Sequence, residues 1–315
     1  MEARSPSHAQ TQAATTLFTA LVDDAALFPP QEAAMADALR WHGIHGASPL
    51  GFLQGPFVVS ARRVRELLAA RGKTTGPLKL SIVVDYLDHR ESIADAAAAL
   101  AEAQDSGVTV AMVEMRCPSA AVAASDLRRA CETLGVFRAD AQPLHVFLES
   151  SRMLASDDEP MLLAGAVAAL RSVVPMDVGA KLRCGGVTRD ALPSNAIIAR
   201  FITAMRDHDV PWKATAGLHH PVCGVYGGTT MHGFLNVLAA TLMACERTVS
   251  DDQLVAVLGD ACGDSFHLSN GRFMWRDHGF DMAAITRTRQ GALRSFGSCS
   301  FEEPATGLRE LRLLS

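Results

Sequence analysis

Residues 144–184 read LHVFLESSRMLASDDEPMLLAGAVAALRSVVPMDVGAKLRC. The run Leu144 to Glu149 is short, apolar and β-rich. An Ala/Leu-rich stretch suited to a helix follows over Asp158 to Val173, and a second apolar run spans Val178 to Cys184. A strand, a helix and a strand in this order imply parallel strands joined by a crossover helix. The same unit recurs on both sides. Leu80 to Asp85, Val108 to Arg116 and Val210 to Ala216 read as strands, with helices over Ser92 to Gln104, Ser119 to Leu134 and Pro193 to Asp207. Alanine and leucine carry these helices. Upstream, Gly51 to Val59 reads as a strand, Ser60 as the N-cap of a helix to Arg71, and Ala25 to Phe28 as a weaker first strand.

Between His219 and Phe280 the rhythm breaks. Helices are expected over Met231 to Glu246 and Asp251 to Leu258, and Asn270-Gly271 signals a hairpin with a type I′ turn. A helix over Met282 to Leu293 leads to an eighth strand, Ser295 to Phe301, and a closing helix, Thr306 to Leu313. The expected fold is α/β: one (β/α)8 barrel over residues 17–315, with an insertion at about 222–280 after strand seven and a flexible N-terminus over 1–16. The same alternation permits an open doubly wound sheet. No internal repeat, low-complexity linker or long charge run divides the chain.

The chain has 315 residues, of which 49% are hydrophobic and 20% charged, with a formal net charge of −5. That balance suits a globular enzyme and lacks the basic excess of a nucleic-acid binder. Met1 to Thr16 holds no signal-type apolar run, and no stretch approaches the roughly 18 apolar residues that cross a bilayer. A soluble, cytoplasmic protein without nucleic-acid or membrane partners is expected, with a homo-oligomer as an open option. Cysteines at 117, 131, 184, 223, 245, 262 and 299 show no CxxC spacing, which fits reduced thiols and no zinc cluster. Neither a Gly-x-Gly-x-x-Gly fingerprint nor a Walker loop follows any strand, which removes most support for dinucleotide and nucleotide-triphosphate chemistry. No cofactor is expected, and adjacent histidines on one loop point apart, which disfavours a shared metal.

Charges gather where the strands end. Side chains two apart on a strand share a face, so Glu114 pairs with Arg116, Lys181 with Arg183, and Lys213 with Thr215, while Asp85 and Glu149 add single acids. In a closed barrel these five strand ends converge on one mouth, where such folds place their chemistry. Salt bridges across the barrel top are the plainer reading for any one of them. Five strands in succession favour a functional cluster, because burying charges costs desolvation that neutral residues avoid.

In Gly179-Ala-Lys-Leu-Arg-Cys-Gly-Gly186, Arg183 offers a planar donor fork for a carboxylate or phosphate, and Gly185-Gly186 would let backbone N–H groups approach an anion or simply make a tight turn. In Val210-Pro-Trp-Lys-Ala-Thr-Ala-Gly-Leu-His-His-Pro221, burial and the nearby Lys181 would depress the pKa of Lys213 and make it nucleophilic. Pairing with Glu149 or Glu114 would make it structural instead. His219 and His220 follow on the loop above the mouth as acid/base or substrate-contacting groups. His232 reads as a cap or packing residue, and His42 and His45 fall in a connecting region. In Ser295-Phe-Gly-Ser-Cys-Ser-Phe-Glu-Glu-Pro304, Ser298 and Ser300 are expected to face the site, with Cys299 of opposite parity in packing. Asp23 and Asp24 read as structural acids near the first strand.

The strings containing Gly179 to Gly186, Trp212 to Pro221 and Phe296 to Pro304 resemble those of a bacterial protein family to which no activity is assigned. More locally, Lys213-Ala-Thr-Ala-Gly217 is similar to the lysine-bearing strand of Schiff-base aldolases of the deoxyribose-phosphate aldolase type. That resemblance implies a (β/α)8 barrel with a reactive lysine flanked by small residues and glycine. The leading expectation is therefore a carbon–carbon lyase acting on a small anionic carbonyl metabolite. Arg183, Arg116, Gly185, Gly186, Thr215, Asp85, Ser298 and Ser300 would bind it. Lys213 would form the imine, and Lys181, Glu149, Glu114, His219 or His220 would move protons. The alternatives are a metal-dependent isomerase or hydrolase using Asp85, Glu114, Glu149 and a histidine, and a non-catalytic barrel that binds an anionic ligand.

Overall fold

The computed structural model describes residues 8–72, 76–84, 90–120, 128–130, 132–133, 144–174, 176–186 and 192–314. Asp85 and most of the helix expected over 119–134 lie outside them.

Eight parallel strands close into a barrel: β1 (Val22–Asp24), β2 (Gln54–Ser60), β3 (Lys79–Val84), β4 (Thr109–Cys117), β5 (His145–Ser150), β6 (Asp177–Arg183), β7 (Trp212–Thr215) and, last in the chain, β13 (Leu293–Ser298). Closure is decided at β1, which pairs with β2 on one side and with β13 on the other, so the open doubly wound alternative is excluded. Strand β1 lies upstream of its expected place. Ala25 already donates its N–H to Ser298 O and Phe28 turns back onto Ala25 O, so the chain leaves the sheet there.

The outer layer holds α1 (His8–Phe18), α2 (Met35–Gly46), α3 (Val64–Arg71), α4 (Arg90–Asp105), α5 (Glu159–Arg171) and α6 (Asn195–Asp207). Two of these correct the sequence expectations. Residues 8–16, within the segment expected as the N-terminal extension, lie in a helix whose Ala13, Ala14, Leu17 and Phe18 are buried. His42 and His45 sit on α2, where a connecting region was expected.

The region after β7 opens with a hairpin, β8 (Gly224–Tyr226) and β9 (Thr229–Met231), and continues into α7 (Phe234–Glu246) and α8 (Asp251–Leu258). Helix α7 is apolar nearly all round and buried over Phe234 to Ala244, as a helix enclosed on every side must be. It packs on β13 and α6, so it is the seventh crossover helix of the barrel and not an appendage. Ser250 and Gln253 form a reciprocal capping box that starts α8. A three-stranded antiparallel sheet follows, β10 (Phe266–Ser269), β11 (Arg272–Trp275) and β12 (His278–Phe280). Its first turn carries Asn270 and Gly271 at φ 51° and 71°, the pair of positive values that a type I′ turn requires. Helix α9 (Met282–Gly291) leads to β13, and α10 (Glu302–Glu310) starts four residues before the expected closing helix. His232 is buried and its Nε2 lies 2.8 Å from Pro193 O, a packing role. Among the described residues no helix is long and apolar enough to cross a membrane.

The barrel interior is narrow at Gly179 on β6. A Cβ there would stand 2.5 Å from Pro211 O and 2.7 Å from the Phe147 ring. Gly179→Ala is therefore expected to lower stability by about 1–3 kcal/mol through overpacking. Urea denaturation measures this directly, and an unchanged midpoint would show that β6 and β7 part without cost.

Candidate active site

The register of the parallel strands brings the charged side chains together. Lys181 and Lys213 are Cα partners on β6 and β7, Arg183 is opposite Thr215, and Arg116 is opposite Glu149 on β4 and β5. Their side chains form one continuous row. Lys213 Nζ donates to Asp23 Oδ2 at 2.6 Å and to Glu114 Oε1 at 2.5 Å. Lys181 Nζ lies 2.7 Å from Glu114 Oε2 and 3.0 Å from Glu149 Oε2. Arg183 Nε donates to Glu149 Oε1 at 2.9 Å, and Arg116 Nε is 3.9 Å from the same oxygen. Ser81 and Ser295 donate hydroxyls to Glu114 and Asp23, each at 2.7 Å.

The row runs from a closed end to an open one. Asp23 and Lys213 are fully buried, and Glu114, Lys181 and Glu149 nearly so. The side chains of Arg183 and Arg116 are 40% and 39% exposed, which makes them the solvent-facing end. The chain's lysines are Lys73, Lys79, Lys181 and Lys213, so half of them stand inside the barrel. Charges taken out of water in this way are tolerated only when each finds a close partner, and here cations and anions alternate.

Electrostatics assigns different characters to the acids. Burial pushes the Glu114 carboxyl up, but the ammonium groups of Lys181 and Lys213 outweigh it and hold Glu114 well below the ordinary carboxylate range. Glu149 is lowered in the same way, with burial opposed by Lys181 and Arg183. Asp23 differs: burial dominates, Lys213 opposes it, and the net direction is upward. For Lys213, burial favours the neutral amine, yet Asp23 and Glu114 prevail and raise its pKa. The depressed pKa expected for Lys213 is thereby corrected. The like charge of Lys181 one strand away is neutralised by the carboxylate between them, and Lys213 rests as a cation.

Several expected site residues stand elsewhere. On β13 the inward parity belongs to Ser295, so Ser298 falls on the other face, in register with Asp24. Ser298 Oγ donates to Ser300 O, and Ser300 Oγ accepts from Glu303 N, so both serines build the turn into α10. Gly185 is buried against Gly217, where an added Cβ would lie 2.8 Å from the Gly217 Cα. It permits two strand-end loops to touch, while Gly186 is exposed beside it. Thr215, by contrast, stays with the row: it ends β7 half-buried on the same face as Lys213, opposite Arg183 and beside Gly297. His219 Nδ1 lies 2.8 Å from Glu303 Oε2, and Cys299 Sγ is 3.9 Å from the same nitrogen. His220 stacks on Tyr226, with ring centroids 3.5 Å apart. His220 lines a cleft of about 570 Å³ together with Tyr226, Glu303 and Gly307, and His219 meets that wall through Glu303.

Asp23 is the member that sequence reasoning missed. In sequence the adjacent acids look alike, yet alternation on β1 sends them to opposite faces. Asp24 lies outward, with Oδ2 2.9 Å from His42 Nδ1, and ties the strand to α2. Asp23 enters the barrel. The signal was the pairing of two acids on consecutive residues of a strand too short to show a periodic pattern.

No protein-family model matches the chain, and no curated protein sequence matches it. Among solved structures, the chain is similar to the tetrameric deoxyribose phosphate aldolase from Aeropyrum pernix, at 13% identity and a TM-score of 0.45, covering 69% of this chain and 87% of that one. It is also similar to the carboxyl transferase domain of Rhizobium etli pyruvate carboxylase with pyruvate, at 10% identity and a TM-score of 0.48. That alignment covers 97% of this chain and 48% of the other, so the chain spans about half the length of that structure. These likenesses concern the path of the chain and carry no activity across.

Proposed function

We propose that the barrel is an enzyme acting on a small anionic carbonyl compound, a carbon–carbon lyase of the Schiff-base kind in which Lys181 forms the imine. The observation that carries this reading is the order of the row. Two amines stand on adjacent strands, and the one nearer the solvent-facing end of the row is Lys181. It bridges Glu114 and Glu149, and Glu149 in turn meets the exposed Arg183 and Arg116. Lys213, the residue favoured by the local sequence resemblance, lies behind it between two buried acids.

The chemistry follows from these positions. The two guanidinium groups receive the anionic end of the substrate, Arg183 through a planar fork. Lys181 gives up a proton to a carboxylate of the row, and the neutral amine attacks the carbonyl carbon. Loss of water leaves an iminium ion that accepts the electron pair of the breaking carbon–carbon bond, while the substrate hydroxyl beyond that bond gives its proton to a carboxylate and its fragment leaves as a carbonyl compound. Protonation of the resulting enamine carbon and hydrolysis return the amine, with Glu149 placed to move the protons. Glu114 and Glu149 direct their oxygens at ammonium groups, which favours this role over that of metal ligands.

The test is reductive trapping: borohydride with short 2-oxo acids and aldehyde phosphates, followed by peptide mass mapping. An adduct on Lys181 supports the reading. Saturable binding of the same anions with no adduct on either interior lysine would leave a ligand-binding barrel. Arg183→Lys is expected to weaken binding of the trapped compound about tenfold, or about 1.4 kcal/mol, because a point charge replaces a fork. Equal affinity in titration calorimetry would make Arg183 a partner of Glu149 alone.

A further inference from the structure

We propose that Asp23 is the proton acceptor at the closed end of the row, a positioning residue that readies Lys181 through Lys213 and Glu114. This rests on the imine reading above. Asp23 has no exposure at all, and its two oxygens are treated differently. Oδ2 accepts from Lys213 Nζ and Ser295 Oγ, whereas Oδ1 is buried with no hydrogen-bond partner. That oxygen faces Gly55 on β2, where a Cβ would stand 2.2 Å from it, so glycine leaves the space that the carboxylate fills. A buried carboxylate with one oxygen unsatisfied is costly, and Lys213 already has a counter-ion in Glu114. A second acid of this kind is explained by a task that the first does not perform.

That task is to hold a proton. Lys181 must lose one before its nitrogen attacks a carbonyl, and the surrounding row is closed to water at this end. Lys213 passes its proton to Asp23 Oδ2. Glu114 takes the Lys181 proton on Oε2 and, once its carboxyl turns, hands it to Lys213. The balance is one ammonium turned to amine at Lys181 and one carboxylate turned to carboxyl at Asp23. Lys213 and Glu114 return to their starting forms, and no net charge leaves the barrel. The groups acting on Asp23 are Lys213 from β7, Glu114 from β4, the Ser295 hydroxyl from β13 and the charge of Arg289 on α9. Burial raises the Asp23 pKa while Glu114 and Glu149 are lowered, so Asp23 is the acid of the row readiest to accept.

The experiment follows the pH dependence of imine formation with pyridoxal 5′-phosphate, an anionic aldehyde whose imine is read by absorbance, with borohydride reduction and peptide mapping to locate the adduct. Asp23→Asn removes the acceptor. The midpoint of the Lys181 labelling rate is expected to rise by about one pH unit, about tenfold in rate at a fixed pH below it. Ser295→Ala removes a hydrogen bond that favours the Asp23 carboxylate, so its midpoint is expected to fall. This opposite sign decides the matter if Asp23→Asn does not fold. Profiles superimposable on that of the unaltered protein, with the adduct still on Lys181, would overturn the relay and leave the imine intact. Absence of an adduct on Lys181 in the unaltered protein would overturn the imine reading, and the relay with it.

Discussion

Lys181→Met is expected to abolish the borohydride-trapped adduct, with no transfer of label to Lys213. The expectation follows from access. Lys213 is enclosed by Asp23 and Glu114 and has no exposed surface, so a carbonyl compound entering from the arginine end meets Lys181 first. Methionine keeps the length and apolar stem of lysine while removing the amine, and it leaves Glu114 paired with Lys213 and Glu149 paired with Arg183. Loss of the covalent intermediate removes the only step in which the substrate is held by a bond, and turnover should fall by about a thousandfold or more, an effect of about 4 kcal/mol on the barrier. Lys213→Met should keep the adduct on Lys181 in whatever fraction folds. Label recovered on Lys213 from the Lys181→Met protein, with turnover retained, would reverse the two roles.

Glu114→Gln is expected to be the most destabilising conservative change in the row. Glu114 joins the two lysines, and the amide cannot neutralise either ammonium. Breaking a buried ion pair by removing one partner costs about 3–5 kcal/mol. With an unfolding entropy of about 2.1 cal/mol/K per residue, that corresponds to a melting temperature lower by roughly 5–8 °C. The pH dependence carries a sign. The folded Glu114 carboxyl is held below its ordinary value of 4.5, so its contribution is present above that pH and is lost as the pH falls toward the depressed folded value. Lys213 is raised above 10.5, so its contribution is complete below that pH and disappears as the pH climbs through the folded value. Asp23, being raised, acts against stability once the pH exceeds 3.8. Between about pH 4.5 and 10.5 the Glu114 and Lys213 contributions are both in force, and Glu114→Gln should shrink the acid-side loss by the Glu114 share while that of Glu149 remains. A variant with the same melting temperature and the same acid limb would show that Glu114 carries no such charge.

Joint replacement offers a complementary measurement. Apolar residues of similar volume at buried ion pairs often match or exceed the original stability. Asp23→Leu combined with Lys213→Met is therefore expected to recover stability relative to either single change. Recovered stability with slowed Lys181 labelling would separate what the pair does for chemistry from what it does for folding.

The barrel was legible because its signals are local. Short, near-continuous apolar runs of six to nine residues at Lys79–Val84, Thr109–Cys117, His145–Ser150 and Asp177–Arg183, interleaved with Ala/Leu-rich helical stretches, leave few arrangements other than a parallel sheet. Alternation also placed Glu114 with Arg116 and Lys181 with Arg183 on shared faces. The Asn270-Gly271 turn was legible for the same reason, since its conformation depends on those two residues alone. The serines of β13 were not. A run of small residues has no apolar face to fix its register, and a slip of one position exchanges Ser295 for Ser298.

What the chain order determined by itself is the set of strands, their parallel sense and the presence of acids and amines near their ends. Only the closed barrel decided which of those groups touch. Asp23 and Lys213 are 190 residues apart and meet because β1 seals the sheet against β13 beside β7. Their ionisation follows from that contact, since a pKa is set by burial and by the charges within a few ångströms, and neither is written in the neighbouring sequence. A lysine on an apolar strand reads as a neutral nucleophile when it stands alone and as a resting cation when two carboxylates face it. The second environment exists here only because residues from opposite ends of the chain share one interior.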